Sequence, residues 1–158
     1  LNLKNTKVLA FATHAVSQQN LLEDDGLVLT IPNDPTFSND GLLTATEIIK
    51  LENNARLVIL SACNTANVHF YTGYTVGSLA RAFFLSGSKS LLLTQWDVET
   101  NASKYISTKF IELSLDKNLT FAESLSQSML GYIKNNDKNH PFYWSPFILV
   151  GNGNISLN

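Results

Sequence analysis

The run Arg56-Leu57-Val58-Ile59-Leu60-Ser61-Ala62-Cys63 decides the fold. Its centre is four consecutive large apolar side chains. Side chains alternate between the two faces of a strand, so an unbroken apolar run describes a strand covered on both sides. Sheets covered on both faces are mostly parallel and carry helices as their outer layers. The same run brings the chain's one cysteine, Cys63, to the strand's C-terminal end.

Working outward, Lys7 to Thr13 (KVLAFAT) and Ser90 to Thr94 (SLLLT) repeat the pattern and predict two more buried strands. Gly26 to Ile31 and Ser145 to Val150 predict two further strands. Asn33 to Gly41 has the composition of a loop. Thr44-Ala45-Thr46-Glu47 matches a capping box, in which Thr caps the N3 amide and Glu reaches back, so a helix should run to about Leu51. Apolar residues at helical spacing predict helices over Val76–Leu85, Asn101–Leu115 and Thr120–Lys134, the first closed by Gly87. The order is strand, strand, helix, strand, helix, strand, two helices, strand. It predicts an α/β fold with a mostly parallel sheet. The 158 residues suit a single domain, 1–158.

Hydrophobic residues make up 44% and charged residues 15%, which is a globular balance rather than a disordered one. The net charge of −2 provides no basic stripe to neutralise phosphates, which argues against nucleic acid. No apolar run approaches the ~18 residues of a membrane span. One cysteine cannot form an internal disulfide, and a lone thiol fits a reducing, cytoplasmic compartment. No His/Cys pair has metal-ligand spacing and no glycine-rich phosphate loop is present, so neither metal nor cofactor is expected.

In open α/β sheets, ligands bind beyond the carboxyl ends of the strands. Three such ends carry Thr13-His14, Cys63 and Trp96-Asp97. A cysteine near its ordinary pKa of about 8.5 is mostly thiol at neutral pH, and ionising it there costs roughly 2 kcal/mol. A neighbouring imidazolium removes most of that cost and can protonate a leaving amine. His14 and Cys63 therefore form a candidate acid/base and nucleophile. The Ala15 and Cys63 N–H groups are candidates for an oxyanion hole. The separation, 63 − 14 = 49, is close to the ~50 residues between His and Cys in caspases. His69 is a competing base, but its position six residues past Cys63 suits a loop. His140, before Pro141, suits a turn ahead of the last strand.

Several blocks together resemble CHAT domains: Ala12-Thr13-His14, Asp40-Gly41-Leu42-Leu43-Thr44-Ala45, Leu60-Ser61-Ala62-Cys63-Asn64-Thr65-Ala66, Leu79-Ala80-Arg81-Ala82-Phe83-Phe84, Gln95-Trp96-Asp97-Val98-Glu99 and His140-Pro141-Phe142-Tyr143-Trp144. They occur in family order from about Val8 to Gly151. The resemblance implies a caspase-like three-layer α/β/α sandwich and a clan CD cysteine endopeptidase that cleaves protein substrates through His14 and Cys63. It also implies a bacterial setting beside tetratricopeptide repeats, and an additional strand-and-helix unit upstream of residue 1. The alternative is a non-catalytic or latent caspase-like interaction module. Relatives often carry Gly where this chain has Ala15, and a positive φ there would strain alanine. In the wider clan the position two before the cysteine lines the P1 pocket, which implies Ser61. The loop holding Trp96 and Asp97 is implied as a further substrate contact. Asp97 would favour a basic P1 residue by charge pairing, or else cap the following helix.

Overall fold

A computed structural model of the chain describes residues 3, 5–16, 25–36, 39–61 and 77–158. Its main sheet has the order β1 (Val8–Phe11), β5 (Leu57–Leu60), β6 (Ser90–Thr94), β7 (Phe147–Gly151). The first three strands are parallel and β7 runs antiparallel against β6. The mostly parallel sheet expected from the apolar runs is present.

The reason for those runs is visible in β5. Val58 and Leu60 pack with Leu91 and Leu93 into one core, beneath α1 (Ala45–Lys50) and α2 (Ser78–Leu85). Leu57 and Ile59 pack with Leu92 into the other, beneath α3 (Thr100–Ser114) and α4 (Phe121–Asn135). All four β5 side chains are buried, none above 4% exposed. Each contributes about 2 kcal/mol by leaving water, so this one strand anchors both helix layers. The result is a three-layer α/β/α sandwich.

The Gly26–Ile31 segment behaves differently from expectation. Only Gly26–Val28 is a strand (β3), and it does not join the main sheet. It is the centre of an antiparallel three-stranded sheet between β2 (Ala15–Val16) and β4 (Leu42–Thr44). β2 and β4 consist of two and three residues, too few for a period to show. The exposed Leu29 and Ile31 lie beyond β3 rather than in a core.

The helix signals hold. The Thr44 hydroxyl accepts from the Glu47 N–H at 3.2 Å, and the Glu47 carboxylate accepts from the Thr44 N–H at 2.9 Å. A second capping box, Thr120 with Glu123, opens α4. Gly87 closes α2 at a φ of +117°. Its N–H donates to the Phe84 carbonyl and that of Ser88 to the Phe83 carbonyl, both at 3.1 Å, which satisfies two helix-end carbonyls.

Gly87 also lies against the Asn53 backbone, where an added Cβ would overlap the carbonyl oxygen. Gly87→Ala should lose about 3 kcal/mol of stability, from left-handed strain together with overpacking. Gly153→Ala meets only ordinary contacts at 3.4 Å and should stay within about 1 kcal/mol of wild type. Urea midpoints measure both; equal midpoints for the two variants would contradict this account of the turn.

Candidate active site at the strand tips

β1 and β5 end side by side. Phe11 pairs with Leu60, and the Ser61 N–H donates to the Phe11 carbonyl at 2.9 Å. His14 follows three residues past Phe11, with an exposed side chain. Its backbone is held from the small sheet. The Val28 N–H donates to the His14 carbonyl at 2.9 Å, and the Thr13 hydroxyl donates to the Val28 carbonyl. β3 therefore clamps the Thr13-His14 turn on both sides and leaves the imidazole facing solvent. Sequence reasoning gave Thr13 no role, since nothing near it in sequence identifies Val28 as a partner.

Ala15 sits in β2, opposite Leu27. The hydrogen bond one residue away, Val28 to His14, makes Ala15–Leu27 a non-hydrogen-bonded pair of the antiparallel ladder. The Ala15 N–H thus points away from β3, along the outer edge of the small sheet. A strand conformation suits alanine as well as glycine. The strain expected from alanine at this position does not arise.

Cys63, the competing base His69 and the 64–74 loop lie outside the described residues. Ser61, two residues before the cysteine, is described and half-buried. Its hydroxyl lies 3.1 Å from the Ser103 hydroxyl, so it faces α3.

Trp96 and Asp97 follow the end of β6, one strand beyond β5. The Trp96 indole N–H donates to the Phe142 carbonyl at 3.1 Å, and the two rings stack at 6.3 Å. Phe142 belongs to α5 (Pro141–Trp144), where His140 is the N-cap and accepts from the Phe142 N–H at 3.2 Å. The expected turn before the last strand is this single-turn helix, a support for Trp96. Asp97 is exposed and does not cap the next helix. Glu99 does, accepting from the Ala102 N–H at 3.0 Å. A carboxylate one side-chain bond longer, two residues on, reaches the N3 amide, so the cap expected at Asp97 falls to Glu99. Among the described residues no group of three His, Cys, Asp or Glu side chains is placed to hold a metal, and no described helix is long and apolar enough to cross a membrane.

The Ala102 N–H, chiefly, with help from Asn101 and Lys138, holds the Glu99 carboxyl below its usual range. A lowered folded-state pKa means that the cap stabilises above the unfolded value and is lost as pH falls through the folded one. The stability difference between wild type and Glu99→Gln should therefore narrow as pH drops below about 4.5. Urea midpoints at pH 7 and pH 3 test this; a difference that widens in acid would contradict it.

Comparison with known proteins agrees with this architecture. The family model of the CHAT domain matches residues 1–152. Tetratricopeptide repeat protein 28 of Mus musculus is 28% identical over 145 residues, covering 92% of this chain and 6% of that protein. Its Homo sapiens counterpart is 31% identical over 117 residues, covering 74% of this chain and 5% of that protein. The chain thus matches only a small part of these long relatives. Among solved structures, the Arg-specific cysteine proteinase gingipain R superimposes with a TM-score of 0.56 at 12% identity, over 81% of this chain and 32% of that one. The fold is the caspase-like one. This chain belongs to the CHAT-domain family.

Proposed function

We propose that the chain is a cysteine endopeptidase in which Cys63 attacks a peptide carbonyl and His14 moves the proton. The observation that supports this most is the β1–β5 register. Phe11 and Leu60 are partners, and the imidazole and the thiol each belong to the third residue beyond, 14 − 11 and 63 − 60. Adjacent strands are ~4.8 Å apart, so equal offsets favour neighbouring positions for the two side chains. Family membership supports the same pairing.

In this reading the Cys63 thiolate adds to the carbonyl carbon. The oxyanion takes hydrogen bonds from the Ala15 N–H, which the β2 register turns outward, and from the Cys63 N–H. The His14 imidazolium gives its proton to the departing amine, leaving an acyl-thioester. Neutral His14 then accepts a proton from the water that attacks the thioester, which releases the acid and restores the thiolate and the imidazolium. Ser61, Trp96 and Asp97 border the peptide. A tetratricopeptide-repeat region of a parent protein, as the relatives' names suggest, is the proposed partner that brings the substrate.

Iodoacetamide alkylation of Cys63 followed against pH tests the pair. Reaction should set in well below pH 8.5 and move toward that value in His14→Ala. Cleavage of an extended peptide library should fall by on the order of 10³-fold or more in Cys63→Ala and His14→Ala. A thiol whose alkylation profile is the same with and without His14 would contradict the dyad and favour a non-catalytic interaction module.

A further inference from the structure

The block His140-Pro141-Phe142-Tyr143-Trp144 takes no part in the chemistry proposed above. It folds as α5, a single turn of helix with His140 as its N-cap. The Phe142 N–H donates to His140 Nδ1 at 3.2 Å. A backbone N–H can only donate, so this contact requires Nδ1 without a proton. The common cap side chains of Asn, Ser and Thr accept through oxygens that do not titrate in this way. An imidazole gains its second proton between about pH 5 and 8. A histidine cap is therefore present in the neutral form and lost as pH falls.

The cap and the Trp96 contact meet on one residue. Phe142 gives its N–H to His140, while its carbonyl accepts from the Trp96 indole N–H at 3.1 Å. Its ring stacks on Trp96 at 6.3 Å. A protonated Nδ1 sets a second donor against the Phe142 N–H, so the imidazole swings away and the turn loses its cap. The Tyr143 and Ser145 N–H groups bond to the His140 and Pro141 carbonyls at 3.0 and 2.8 Å. Those bonds do not titrate, so one turn loosens while the core stays folded. Losing a cap shifts the balance toward the open turn on the order of fivefold.

We propose that His140 is a pH-operated latch on Trp96: neutral, it caps α5 and keeps Phe142 against the indole; protonated, it releases both. The other titratable groups around α5 belong to classes that change charge elsewhere. α3 and α4 pack against α5. Asp97 and Glu99 lie on the turn between β6 and α3, Tyr132 on α4, Asp137 and Lys138 just before His140, and Tyr143 on α5 itself. Carboxyl groups ordinarily change charge near pH 4, and phenols and ammonium groups near pH 10. The Ala102 N–H, chiefly, holds the Glu99 carboxyl below its usual range, and Lys138 lies 3.9 Å from it. Burial pushes the Tyr132 phenol up. Trp96 follows the end of β6, so its release changes the surface at the strand tips without any role for Cys63.

The chain has two tryptophans, Trp96 and Trp144, so its indole N–H signals are readily followed by NMR. Trp144→Phe assigns them, and the titration runs from about pH 8 to 5. In the wild-type chain the Trp96 signal should shift upfield in one step as pH falls and its hydrogen bond weakens. His140→Asn keeps a cap that does not titrate, so the signal should stay at its neutral position throughout. His140→Ala removes the cap, so the signal should lie on the acid side at every pH. Replacing the other two histidines, His14 and His69, with glutamine should leave the wild-type step in place. The proposal is overturned if the step survives in His140→Asn, or if His140→Ala keeps the neutral position. It is equally overturned if the step vanishes with His14 and His69, or if Trp96 in the wild-type chain does not respond to pH.

Discussion

The parallel ladder between β1 and β5 is the constraint on which the rest depends. It joins segments about fifty residues apart and fixes Phe11 beside Leu60. Hydrogen bonds alone would not hold it, since each nets only about 1 kcal/mol. What fixes the register is burial on both faces. A slip of one residue would exchange every β5 side chain between two differently shaped cores, one built around Phe83 and the other around Phe110 and Phe121. The relative position of the segments leaving the ends of β1 and β5 is therefore set far below them, by packing.

Much of this was legible in the sequence because it obeys short-range rules. The apolar runs of β5 and β6 report two-sided burial, and the capping box at Thr44 and the glycine after α2 report helix ends. What was not legible depends on partners distant in sequence. β3 looks like β5 in composition, yet it pairs with β2 and β4, which are too short to carry a period. The antiparallel sense of β7 is equally silent in its apolar pattern, because both directions bury the same side chains.

The site divides along the same line. His14 stood out because a strand end is where ligands meet an α/β sheet. Its anchoring by Thr13 and Val28 became visible only once β3 was placed. Ala15, a departure from the residue often found beside the histidine, turns out to occupy backbone that alanine accepts. Asp97 and Glu99 show the opposite failure. The sequence reading offered Asp97 alone as the helix cap, and the structure gives that role to Glu99. Trp96, expected at the substrate, is engaged with Phe142 through its indole N–H and its ring.

The central claim is that the residues three beyond the ends of β1 and β5 share one pocket. The most direct measurement replaces His14 with cysteine and treats the folded chain with a bifunctional thiol reagent whose span is about the ~4.8 Å strand separation. Mass spectrometry should find one linker joining residues 14 and 63 within a single chain, and no such bridge in urea. Two separate modifications, one on each thiol with no bridge between them in the folded chain, would contradict the account.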